Sequence, residues 1–190
     1  MTKNQLVILN GNPDPGPERF SAALCRSYAM GARRSGWNTT QLNVSEISGE
    51  RYAAATANLA HALKSTCSAN RLAIILPVWL GLPPDCLTYF LRLARGLSPD
   101  ILAKIPTHVI ATMDMPGFVY RNQTMKNGAG QILPVVVALP GIRIAKYTLV
   151  GSMHAIDLSQ RQGWLAQAEA AGQADTDHRG EVPHVQRLSA

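Results

Sequence analysis

Short apolar runs and longer helical stretches alternate along the chain. Gln5-Leu-Val-Ile-Leu-Asn10 reads as a buried strand, closed by the Gly/Pro-rich segment 11–17. Beyond it Phe20, Ala23, Leu24, Tyr28 and Gly31 recur on one helical face until Gly36 stops the helix. Residues 40–44 alternate polar and apolar as a second strand, and the Ala-rich 52–63 is helical. The third strand, 71–77, is apolar throughout and therefore covered on both faces. Pro84 can open the next helix, with Leu87, Phe90, Leu91 and Ala94 inward. Residues 107–113 form strand four, 131–139 a helix with Pro134 near its start, and 142–150 strand five. A closing helix over 158–171 turns Trp164, Leu165 and Ala168 inward. The pattern predicts one domain over 1–172 and a polar, mobile tail over 173–190.

Five strands separated by crossover helices imply an α/β fold in three layers, a parallel sheet with helices on both faces. For about 150 ordered residues the strand order 2-1-3-4-5 fits better than the longer dinucleotide fold. Ligands of such sheets sit beyond the C-terminal strand ends. That singles out the loops after Asn10, Leu76 and Thr112.

Composition narrows the class. A length of 190 residues suits one domain, and 16% charged residues exclude a disordered chain. Cys25, Cys67 and Cys86 form no CxxC pair, so neither a disulfide framework nor a metal site is expected. A reducing, cytoplasmic compartment follows. The most apolar region, 72–90, is interrupted by Pro77, Pro83, Pro84 and Asp85, which argues against a membrane span. The formal charge of +6 is scattered, with Arg33-Arg34 the densest pair, and suits phosphate-bearing cofactors. With 6% aromatics and no recognition motif, nucleic acid is not an expected partner.

Each loop admits two readings. Asn10-Gly-Asn-Pro-Asp-Pro-Gly-Pro-Glu-Arg-Phe-Ser21 leads into a helix N-terminus, where free N–H groups favour an anion; Asn12, Arg19 and Ser21 add donors. Its glycine spacing matches neither GxGxxG nor a P-loop, and a plain Pro-rich turn fits equally well. In Pro77-Val-Trp-Leu-Gly-Leu-Pro-Pro84, Trp79 either walls a ring system or closes the sheet top. In Met113-Asp-Met-Pro-Gly-Phe-Val-Tyr-Arg121, Tyr120 and Arg121 offer a phenol and a guanidinium, while Asp114 is equally a helix cap. The five histidines are dispersed and read as structural or surface residues.

Taken together, the loops resemble a known family. Asn12-Pro-Asp-Pro with Arg19-Phe-Ser-Ala-Ala-Leu24 looks like the first flavin loop of the flavodoxin-like NAD(P)H:quinone oxidoreductases. Pro77-Val-Trp-Leu-Gly-Leu-Pro-Pro resembles that family's P-x-W-W-G-x-P-A segment, and Thr112-Met-Asp-Met-Pro-Gly-Phe-Val-Tyr-Arg its T-M-D-T-P-x-W-Y-Y-R segment. Gly141-Ile-Arg-Ile through Gly151, then Arg161-Gln-Gly-Trp-Leu165, looks like its terminal strand and helix.

The resemblance implies bound FAD, or FMN, and hydride transfer from NAD(P)H to a quinone-like acceptor. It implies that Asn12, Arg19, Phe20 and Ser21 hold the cofactor phosphate, while Pro77, Val78, Trp79, Leu80 and Gly81 line the isoalloxazine edge. Thr112 and Met113 would contact the pyrimidine end, Tyr120 would face the substrate as hydrogen-bond donor, and the chain would form a homodimer. Departures cluster on the substrate side. Asn12 replaces a histidine, Leu80 a second tryptophan and Val119 a tyrosine, and the loop 96–99 is short. The alternative reading is therefore a flavin- or nucleotide-binding ancillary subunit without quinone turnover, docked peripherally on a transporter.

Overall fold

The computed structural model describes residues 4–48, 54–98, 100–114, 139 and 141–177. The strands are β1 (Gln5–Asn10), β2 (Asn38–Asn43), β3 (Arg71–Pro77), β4 (Pro106–Thr112) and β5 (Arg143–Val150). All neighbouring pairs are parallel, in the order β2-β1-β3-β4-β5. The helices are α1 (Phe20–Arg34), α2 (Val44–Ser48), α3 (Ala54–Cys67), α4 (Asp85–Leu97), α5 (Ile101–Lys104) and α6 (Leu158–Asp177). The expected α/β architecture and strand order are those observed.

The period-2 geometry of the central strands splits the core in two. Val7, Leu9, Leu72, Ile74, Leu76, Val109 and Ala111 face Leu87, Phe90, Leu91 and Ala94 of α4. Leu6, Ile8, Ala73, Ile75 and Ile110 face Leu24, Cys25, Tyr28 and Ala32 of α1, with Ala168 of α6. Strand β3 is buried on both faces, as its unbroken apolar run requires.

Helices α1 and α6 meet almost backbone to backbone. A Cβ on Gly31 would lie 1.9 Å from the Glu169 carbonyl oxygen, and one on Gly172 would lie 2.1 Å from that of Tyr28. Gly172 is thus a packing residue inside the helix. The closing helix runs past Ala171 to Asp177, beyond the end expected from the polar composition there. The short helices α2 and α5 carried no readable signal, and helix three occupies 54–67 rather than 52–63. The helix expected over 131–139 lies outside the described residues, apart from Leu139.

Candidate functional site

The strand order reverses direction between β1 and β3, and their C-terminal ends open the crevice where such sheets take ligands. Gly11 begins the first loop there, its N–H donating to the Ile75 carbonyl at 2.8 Å. A Cβ at Gly11 would stand 2.9 Å from Leu87 Cδ2, so a glycine lets the loop pass close under α4. An asparagine relay then shapes the turn. Asn10, fully buried, accepts from the Asn12 N–H at 3.2 Å, and the Asn12 side-chain carbonyl accepts from the Asp14 N–H at 3.1 Å.

The Asn12 amide donates to Ser21 Oγ at 2.9 Å. With that lone pair occupied, the Ser21 hydroxyl proton is left for an acceptor at the head of α1. Arg19 occupies the N-cap with extended backbone and makes no side-chain capping hydrogen bond. The first N–H groups of α1 are therefore left without a capping side chain. An anion suits this end. Arg19 itself pairs with Asp14 and with Glu18, so its charge is shared with two carboxylates. The Arg19 hydrogen bond, helped by the Gly16 N–H, lowers the Asp14 pKa.

The second loop is a tight hairpin. Trp79 and Leu82 exchange backbone hydrogen bonds at 3.2 and 2.9 Å across a turn with Leu80 at φ +51° and Gly81 at φ +82°. Both central residues are left-handed, as a type I′ turn demands, and Leu80 bears strain that glycine does not. The Val78 N–H is committed to the Thr112 carbonyl at 2.8 Å and that of Trp79 to Leu82; Pro77 has none. Of the residues expected to line the ring edge, only Leu80 and Gly81, at the tip, keep N–H groups uncommitted among the described residues. Trp79 is 54% exposed and Leu80 fully so, which leaves an apolar wall facing outward beside the crevice.

Thr112 ends β4 next to this hairpin. Met113 lends only backbone to the rim, its N–H on Val150 and its carbonyl on the Met153 N–H, because its side chain is buried in the α4-side core. Tyr120 lies outside the described residues. Two features escaped the sequence reading. Arg161, one turn into α6, lies 5.6 Å from the centroid of the Phe20 ring at the head of α1, and brings a second cation to the cradle. An exposed His154–Asp114 pair, 3.1 Å apart, bridges the loops after β4 and β5. Arg161 stood in a quoted motif, but only the packing of α6 on α1 carries it to the first loop.

No protein-family model and no curated protein matches the sequence. Solved structures do. An NAD(P)H:quinone oxidoreductase from Methanothermobacter marburgensis superposes with a TM-score of 0.70 at 15% identity, over 95% of this chain and 100% of that one. An FMN-dependent NADH-azoreductase from Bacillus anthracis gives 0.63 at 14% identity, over 91% and 99%. An NADH:FMN oxidoreductase gives 0.62 at 19% identity, over 96% and 95%. The chain therefore has the flavodoxin-like fold that these reductases share.

Proposed function

We propose that this chain is a flavin-dependent NAD(P)H oxidoreductase that takes FMN and passes electrons to a quinone-like acceptor. One observation carries the reading: an uncapped helix head with a buried serine adjoins an exposed Trp-Leu hairpin in the β1/β3 crevice. FMN is favoured over FAD because the FMN-dependent azoreductase and the NADH:FMN oxidoreductase have this fold.

When bound, the flavin would supply two-electron hydride chemistry. The Ser21 hydroxyl and the N–H groups at the head of α1 would hold its phosphate, with Asn12 fixing the rotamer of Ser21 rather than binding the anion. Arg161, on Phe20, adds positive charge to that end. Trp79 and Leu80 would shield one side of the ring from water, while the tip N–H groups of Leu80 and Gly81 meet its polar edge. Thr112 and the Met113 backbone close the far end, and Tyr120 would donate to an acceptor oxygen. Trp79, Leu82, Tyr89 and Leu97 are all more than half exposed, which supports burial in a homodimer. No described helix is long and apolar enough to cross a membrane.

The test is an absorbance titration of the purified protein with FMN, followed by NADH and NADPH oxidation with several quinones. Binding with turnover above that of free flavin is the expected result. Ser21→Ala should weaken FMN about tenfold, the scale of one hydrogen bond to an anion. Arg19→Ala should weaken it less, because its guanidinium is already paired and half exposed. Failure to bind any flavin removes the proposal. FMN binding without turnover replaces it with the ancillary-subunit reading.

A further inference from the structure

At the end of α6 away from the crevice, five polar side chains from four elements converge at its last turns. Asp175 accepts from the Tyr28 hydroxyl of α1 at 2.5 Å and from His108 Nδ1 of β4 at 2.5 Å, both on Oδ2. Lys146 of β5 reaches its Oδ1 at 3.2 Å. Tyr28 and His108 are also within 3.3 Å of each other, their rings edge to face. His108 Nε2 faces Thr148 Oγ1 of β5 at 2.9 Å. His108 is 3% exposed and Tyr28 1%, while Asp175 remains 15% exposed, so the carboxylate is the lid of the cluster. Arg71 of β3 also acts on Tyr28 through space.

We propose that Asp175 is an acid-released latch that fastens the last turns of α6 across β4 and β5 onto α1. The neutral imidazole suits its place: Nδ1–H donates to Asp175 and Nε2 accepts from the Thr148 hydroxyl. Burial lowers the pKa of His108, although Asp175 opposes that shift. Lifting the end of α6 uncovers the ring and lets it regain an ordinary pKa near 6.5. The released form then binds one more proton than the closed form. Each pH unit below 6.5 therefore favours release by up to tenfold, until His108 takes its proton in place. Asp175 adds a second proton to the released form only in stronger acid.

No other buried carboxylate ties this end of α6 down among the described residues. The Arg34–Glu169 pair lies further up the helix, and Arg34 is mostly exposed. The adjoining Ser35 Oγ to Gln173 carbonyl contact is long, at 3.4 Å. Gly31 and Gly172 let the two helices touch, with Leu24, Tyr28 and Ala168 packed in the same core cluster further along the contact.

Hydrogen exchange of the unliganded chain tests this, read as protection factors from pH 8 to pH 5 so that the intrinsic pH dependence cancels. Amides of 170–177 should lose protection by up to tenfold per unit below pH 6.5, while those of 72–76 in β3 stay unchanged. Asp175→Asn should lower protection in 170–177 already at pH 8. His108→Gln should flatten the pH dependence, and Tyr28→Phe should keep it. Protection constant from pH 8 to pH 5, or the same slope in His108→Gln, overturns the latch. If His108→Gln does not fold, the wild-type imidazole is read by nitrogen NMR. A neutral ring protonated on Nδ1 at pH 6.5 supports the proposal, and a charged ring at pH 7 overturns it.

Discussion

Replacing Gly31 by alanine puts a number on the α1–α6 contact. The new Cβ would sit 1.9 Å from the Glu169 carbonyl oxygen and 2.9 Å from the Gln173 nitrogen, whereas ordinary contacts begin at 3.4 Å. The obstacle is helix backbone, which cannot swing away like a flexible side-chain end. The helices must part by roughly 1.5 Å along that line, the gap between 1.9 and 3.4 Å. A gap of 0.5–1 Å already forfeits about a quarter to a half of the dispersion between facing atoms. Overpacking of this kind costs about 1–3 kcal/mol, and a backbone clash belongs at the upper end. The gain in helix propensity from glycine to alanine, about 1 kcal/mol, offsets part of it. A net loss of about 2 kcal/mol follows, or a melting temperature lower by about 4–8 °C at this chain length. Gly163→Ala is the control: on α6 with nothing within 4 Å of its Cβ, it should gain about 0.5–1 kcal/mol. Calorimetry on both variants decides. A Gly31→Ala protein that melts with or above the wild type, beside a normal Gly163→Ala, would refute the close packing.

Leu80→Asn should raise stability by about 0.5–1 kcal/mol in urea unfolding, because asparagine tolerates the left-handed turn. Loss of FMN affinity in the same variant would tie the strained leucine to the cofactor wall. The Cys25 thiol, pushed by burial up to about 12, should stay unreactive towards a thiol reagent at pH 8 until the protein unfolds. Asp175 should set acid stability. Burial pushes its pKa up, but the His108 hydrogen bond, the charge His108 takes on once protonated in acid, the Lys146 charge and the Tyr28 hydroxyl outweigh that and hold it at about 2. Its contribution, about 2 kcal/mol, is complete above pH 3.8 and lost as the pH falls towards 2; Asp175→Asn should remove that part of the acid transition.

Strand positions and their order followed from the sequence because burial on both faces of β3 demands an uninterrupted apolar run, shorter apolar runs mark β1 and β4, and parallel pairing demands crossovers between them. The crevice was legible for the same reason: once the order is set, the loops after Asn10, Leu76 and Thr112 must lie at the same end of the sheet. What each donor does there was not legible. Asn12 and Ser21 both read as phosphate ligands, and the sequence does not show that the Asn12 amide donates to Ser21 Oγ. Nor does the sequence show that the N–H groups of Val78 and Trp79 are spent on the carbonyls of Thr112 and Leu82.

The helix ends and the buried polar cluster belong to tertiary structure alone. Gly172 and Asp175 carry the local signals of a helix stop and a solvated tail. They are held in α6 because Tyr28, Gly31, His108 and Lys146 come from 29 to 147 residues away to meet them. Local preference at such positions is worth about 1 kcal/mol. Packing against a second helix and satisfying a buried carboxylate outweigh it, and no periodicity in the chain records which distant residues will be there to do so.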